Sequence, residues 1–200
     1  MSDFNLTYPQ IGDLGNKIGG DAGAKGILSG ELIVVKRSEA NRRWIKIDGN
    51  TIAVDLESSP GLPFKGAEVE SHIGVGGAIY QKRADGLCRN GRKVGLHLSR
   101  RQVNGKSLKG YELRDELTGK PVLNANELDA LYDNPHLIPE DWKRDENDNI
   151  RFIYFWGTIY RSSDGSLYVR CICFSDGAWD RRYYWLGGGW GGDYPATVAS

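Results

Sequence analysis

Two Ser-Asp-Gly triplets, beginning at Ser163 and Ser175, punctuate the stretch "IRFIYFWGTIYRSSDGSLYVRCICFSDGAWDRRYYWL". Asp-Gly between alternating runs of aromatic and β-branched residues favours a type I′ turn, whose twist matches antiparallel strands. The stretch therefore predicts a three-stranded aromatic meander over residues 151–186. Gly189 of "GGGW" follows Gly165 and Gly177 at the same interval, but so short a repeat does not make a solenoid or propeller. With two-residue turns, Tyr160 faces Val169 and Tyr184, and Trp156 faces Cys173 and Asp180. On the opposite face Phe174 meets Phe155 and Trp179, while Arg170 meets Ile159 and Tyr183. A slip of one residue would exchange the two faces.

The chain before the meander changes character several times. Residues 8–30 carry Ile11, Leu14 and Ile18 at helical spacing, with Gly19-Gly20 as a stop and Asp21 as a cap for a second short turn. Their glycines do not fall in G-x-G-x-x-G register behind a strand, which excludes a dinucleotide fingerprint. From Glu31 the signal is strand: "ELIVVKR", then "RRWIKI" and "TIAVDL" around Asp48-Gly49 as a hairpin. "AIYQKR" and "RKVGLHLS" suggest a further hairpin around the basic loop "ADGLCRNG".

Residues 107–119 then predict a helix stopped at Gly119-Lys120-Pro121. A second helix is capped by Asn124 or Asn126, turns Leu128 and Leu131 inward, and ends before Pro135. The charged "KRDENDN" at 143–149 is the natural connector. The expected fold class is α+β: a short helical N-terminus, an antiparallel β-sheet, a two-helix segment and a C-terminal three-stranded aromatic meander. Residues 1–142 and 150–200 are its two parts, packed on one core. Segregated strands and helices argue against a doubly wound sheet.

At 200 residues the chain buries roughly 70% of its unfolded surface and needs no disulfide or metal to fold. Basic and acidic side chains number 26 each, removing the bulk attraction to phosphate that marks most nucleic-acid binders. No run reaches the ~18–20 apolar residues of a membrane helix, and the N-terminal residues lack the pattern of a secretory leader. Cys88, Cys171 and Cys173 are odd in number and predict reduced thiols. A cytoplasmic location follows as the expectation.

The segments "GYELRDELTGKPVLNANELDALYDNPHLIPEDWK" and "FWGTIYRSSDGSLYVRC" resemble short uncharacterised bacterial proteins that share the helix, "NPHLIPEDWK" and the aromatic meander. "IGGDAGAKGILSGELIVV" is similar to the opening of other uncharacterised bacterial proteins. Together these likenesses cover about half the chain. They imply a bacterial origin and a recurring module, and they transfer no catalytic residue or ligand.

Chemistry-bearing patterns are sparse. The sequence has no H-E-x-x-H, paired C-x-x-C, EF-hand, P-loop, G-x-S-x-G or kinase signature. His72, His97 and His136 lie in separate elements, so no metal and no cofactor is expected. Three readings of function remain. The favoured one is a non-catalytic intracellular binding module for a protein or small-molecule ligand. It would use Trp156, Tyr168, Arg170, Trp179, Arg181, Tyr183, Trp185 and Trp190, because Trp, Tyr and Arg dominate interface hot spots. The same residues could instead fill a sheet's own core. A small hydrolase using Cys88 and His97, for example, is a second reading. A nucleic-acid binder using Arg89, Arg92, Lys93, Arg100 and Arg101 is the third, disfavoured because strand alternation splits those side chains between two faces.

Overall fold

The computed structural model describes residues 43–200, with Lys25 alone before them. Arg42–Ser200 form one compact unit. The helical elements expected at 8–30 and the strand at 31–37 lie outside the described residues.

Among the described residues the architecture is mixed, mostly sheet, with two α-helices. Five strands open it: β1 (Trp44–Lys46), β2 (Thr51–Asp55), β3 (Glu68–His72), β4 (Gly77–Arg83) and β5 (Gly86–Arg89). β6 (Arg92–His97) and β7 (Leu108–Lys109) lead into α1 (Gly110–Leu117) and α2 (Ala125–Asp133). The meander follows as β8 (Phe152–Tyr154), β9 (Thr158–Arg161), β10 (Leu167–Ser175) and β11 (Ala178–Trp185). β12 (Gly189–Trp190) and β13 (Ala196–Ala199) close the chain. The main sheet runs β1-β2-β4-β5-β6-β13-β8-β10-β9-β3, and β11 pairs with β10. Among the described residues only the β8–β13 contact is parallel.

The expected hairpin of β1 and β2 forms, with Ile45 opposite Ala53. The "ADGLCRNG" segment is a strand rather than a loop. Asn90 and Gly91 both take positive φ, at 49° and 78°, so this Asn-Gly makes a tight I′-type turn and frees β5 to pair with both β4 and β6.

The two Ser-Asp-Gly triplets behave differently. At the second, Asp176 and Gly177 have φ of 52° and 80°, the two-residue I′ geometry, and the β10–β11 register follows as expected: Arg170 opposite Tyr183, Phe174 opposite Trp179. At the first, only Gly165 turns positive, and residues 162–166 form a longer loop. Ser162 N–H donates to Ser166 O at 2.9 Å, and the Asp164 carboxylate accepts from Ser162 Oγ and Ser166 N. Tyr160 consequently stands opposite Tyr168 instead of Val169. The strand also breaks at Phe155–Gly157, so Cys173 faces Phe152 rather than Trp156. Gly157 marks that break because a Cβ there would meet Asn124 Cα and Leu123 O at 2.9 Å.

α2 organises the core. Asn124 caps it, accepting from Asn126 N and Glu127 N at 3.0 and 3.1 Å, while Glu127 Oε2 accepts from Asn124 N at 2.6 Å. Every residue from Ala125 to Leu131 is buried, so this helix is enclosed all round rather than laid on a surface. Leu128 and Leu131 join Ile52, Val54, Tyr80, Leu87 and Val94 of one half of the sheet with Ile153 and Ile172 of the other. The sheet must fold around α2 for both halves to reach it. The opposite side of β8–β10 meets α1 through Leu113 and Leu117, with Trp156, Val169, Cys171 and Trp190 between them. Both faces of the meander's inner strands are therefore core.

Candidate binding site

Of the three carboxylates on α2, Glu127 and Asp129 are buried, and each is paired with arginine from distant segments of the chain. Glu127 accepts from Tyr80 Oη at 2.5 Å and lies 2.7 Å from Arg89 Nε. Burial pushes the Glu127 carboxyl above its ordinary range. Asp129 is held by Arg170, whose Nη2 and Nη1 donate to Oδ1 and Oδ2 at 2.6 and 3.1 Å. Burial opposes the Arg170 charge, but its hydrogen bonds and proximity to Asp129 outweigh that and raise its pKa. That pairing already neutralises Asp129.

Two more guanidinium groups nevertheless reach the same carboxylate. Arg43 Nη1 donates to Oδ2 at 3.3 Å and Arg181 Nη1 to Oδ1 at 3.0 Å. Both side chains are part-exposed, at 38% and 43%. Arg181 also lies over the Tyr132 ring, 4.2 Å from its centroid, a geometry that favours the cation. Among the described residues the cluster thus holds three guanidiniums against one carboxylate, and its surplus positive charge faces outward.

Rings border it. On β11 the odd-numbered side chains share the face that looks toward α2: Trp179 packs on Phe174 and the first core cluster. Tyr183 sits 4.9 Å from Phe64, and Tyr168 lies 5.3 Å from the same ring. Tyr183 and Trp185 remain 45% and 46% exposed. Gly187 and Gly188 lie beneath the rings of Trp185 and Tyr184, so close that a Cβ would overlap them.

The eight residues singled out from sequence consequently divide. Trp156 and Trp190 are buried in the α1-side core, 4.7 Å apart by ring centroid. Arg170 is buried as the inner clamp on Asp129. Tyr168 and Trp179 are half-buried, and Arg181, Tyr183 and Trp185 reach solvent. Sequence reasoning missed Asp129, Arg43, Tyr132 and Phe64, which complete the cluster from other elements.

The remaining chemistry lies elsewhere. The His72 ring is fixed between Thr158 Oγ1 and Leu56 O, each at 2.7 Å. Leu56 O can only accept, so His72 Nε2–H donates to it, and Thr158 Oγ1, bonded to His72 Nδ1, also accepts from Ala125 N. All three cysteines are buried and free, and burial pushes the Cys171 thiol up to about 12. Arg89 is committed to Glu127, and Arg101 to Glu112 and Glu116. An open groove of about 810 Å³ between residues 98–105, 145–152 and 192–193 is acidic. It contains none of the eight residues. Among the described residues no helix is long and apolar enough to cross a membrane. Comparison with known proteins finds no matching family model, no matching curated protein and no matching solved structure.

Proposed function

We propose that this protein is a non-catalytic binding module that engages a partner polypeptide through the outer strip of β11 and the arginine cluster behind it. The carrying observation is the concentration of Arg181, Tyr183 and Trp185, each more than 40% exposed, on one strand. These residue types supply most hot-spot energy in interfaces. Cys88 is buried and stands opposite Lys93, four positions along β6 from His97, the Cys171 thiol is kept neutral by burial, and the His72 ring is fixed; together these favour this reading over Cys/His hydrolysis. The pairing of Arg89 and Arg101 with carboxylates favours it over nucleic-acid binding. A bacterial origin and a cytoplasmic location belong to the same proposal.

Selection of a displayed random-peptide library on the purified protein tests it. Enriched peptides are expected to bind wild type and to lose about tenfold or more in affinity for a Tyr183→Ser/Trp185→Ser double variant, a change worth ~1.4 kcal/mol. Failure to enrich any peptide, or enriched peptides indifferent to the double variant, would contradict the proposal.

A further inference from the structure

The β10–β11 hydrogen-bond pattern shows what the outer edge of β11 presents. Leu186 N–H donates to Leu167 O at 2.9 Å, which fixes 167/186 as a hydrogen-bonded pair. Alternation then turns the backbone groups of residues 178, 180, 182 and 184 toward β10. Those of Trp179, Arg181 and Tyr183 point the other way, and no strand among the described residues takes them up. Among the described residues the edge is a row of donors and acceptors without a partner, backed by the charge of Arg43 and Arg181.

From this, and resting on the binding role proposed above, we infer that β11 is extended in the complex by an antiparallel strand from an acidic partner segment, whose carboxylate lies opposite Arg181. A residue opposite Arg181 projects on the same face as Arg181, where Arg43 also reaches. Its neighbours two positions away lie beside Trp179 and Tyr183 and suit apolar side chains. The partner motif is therefore apolar-x-acidic-x-apolar. A second copy of this chain fits badly in the registers that keep Arg181 at the centre of the pairing. Outward-facing residues must pair with outward-facing residues, so two-fold registers centred on 180, 181 or 182 oppose Asp180, Arg181 or Arg182 to itself, and like charges directly opposite destabilise a ladder.

The test titrates the full-length protein with blocked Thr-Val-Thr-Glu-Thr-Val-Thr, followed by amide NMR shifts and calorimetry. Binding is expected to perturb Trp179, Arg181 and Tyr183. Glu→Lys at the peptide centre should cost about tenfold or more, recovered in part by Arg181→Glu. N-methylation of the central Glu, whose N–H faces β11 in this register, should abolish binding. N-methylation of the preceding Thr, whose N–H faces away, should leave affinity within about threefold. Equal loss from both methylations, or displacement of the peptide by an oligothymidine at lower concentration, would overturn the inference. If library peptides bind β11 but none of the Glu series does at millimolar concentration, strand addition falls while the binding role stands. If neither set binds, both fall.

Discussion

Asp129→Ala is expected to destabilise the protein by about 3–5 kcal/mol, because it strands the Arg170 guanidinium in the core without its counter-ion. The two partners are 9% and 7% exposed at their side chains, so water cannot replace the lost carboxylate. For a folded unit of this size the change corresponds to a fall in Tm of roughly 10 °C. Arg170→Met should cost less. It leaves Asp129 with Arg43 and Arg181 and fills the space with an apolar chain. Arg181→Ala should cost no more than about 1 kcal/mol, because its side chain is 43% exposed and its ion pair is screened. Thermal unfolding of the three variants measures the order. An Asp129→Ala protein as stable as Arg181→Ala would refute the buried clamp, and with it the claim that the outer arginines are surplus to folding.

The second large effect lies on the other face of the meander. Trp190 is fully buried, with the rings of Tyr154, Trp156, Tyr184 and Tyr194 around it at centroid distances of 4.4–5.9 Å. Trp190→Ala empties that site and should cost about 3–5 kcal/mol. Trp185→Ala, five positions earlier on an exposed ring, should cost only about 1 kcal/mol. Chemical denaturation of both separates them. Comparable losses would show that Trp185 is as structural as Trp190 and would remove it from the binding strip.

What the sequence made legible, and what it hid, follows from how local each determinant is. Asp176-Gly177 sets its own turn through positive φ, so the β10–β11 register is legible from sequence, whereas the equally local Asn90-Gly91 turn is hidden when residues 84–91 are read as a single loop. Asn124 as a cap and Pro135 as a stop likewise act within one turn of α2. Ser162–Ser166 contains the same Asp-Gly pair, yet hydrogen bonds accepted by the Asp164 carboxylate hold a five-residue loop. That shifted Tyr160 by one position. Asp129 was hidden for a different reason. A helix bearing Asn126, Glu127 and Asp129 between its leucines reads as amphipathic, with those groups in solvent. Its enclosure depends on Arg170, 41 residues away, and Arg43, 86 residues away. No local pattern encodes such a pairing. The split among the aromatic residues was equally non-local: Trp190 is buried because Gly110 leaves room beside its indole and β7 pairs with β12.

The central claim is that β11 offers an open backbone edge in a folded, unliganded protein. Residue-resolved amide hydrogen exchange tests it most directly. The account predicts that Arg182 and Tyr184, bonded to β10, exchange slowly with the core, while Trp179, Arg181 and Tyr183 exchange orders of magnitude faster. Uniform protection along β11 would contradict it, since the outward amides would then already have a partner.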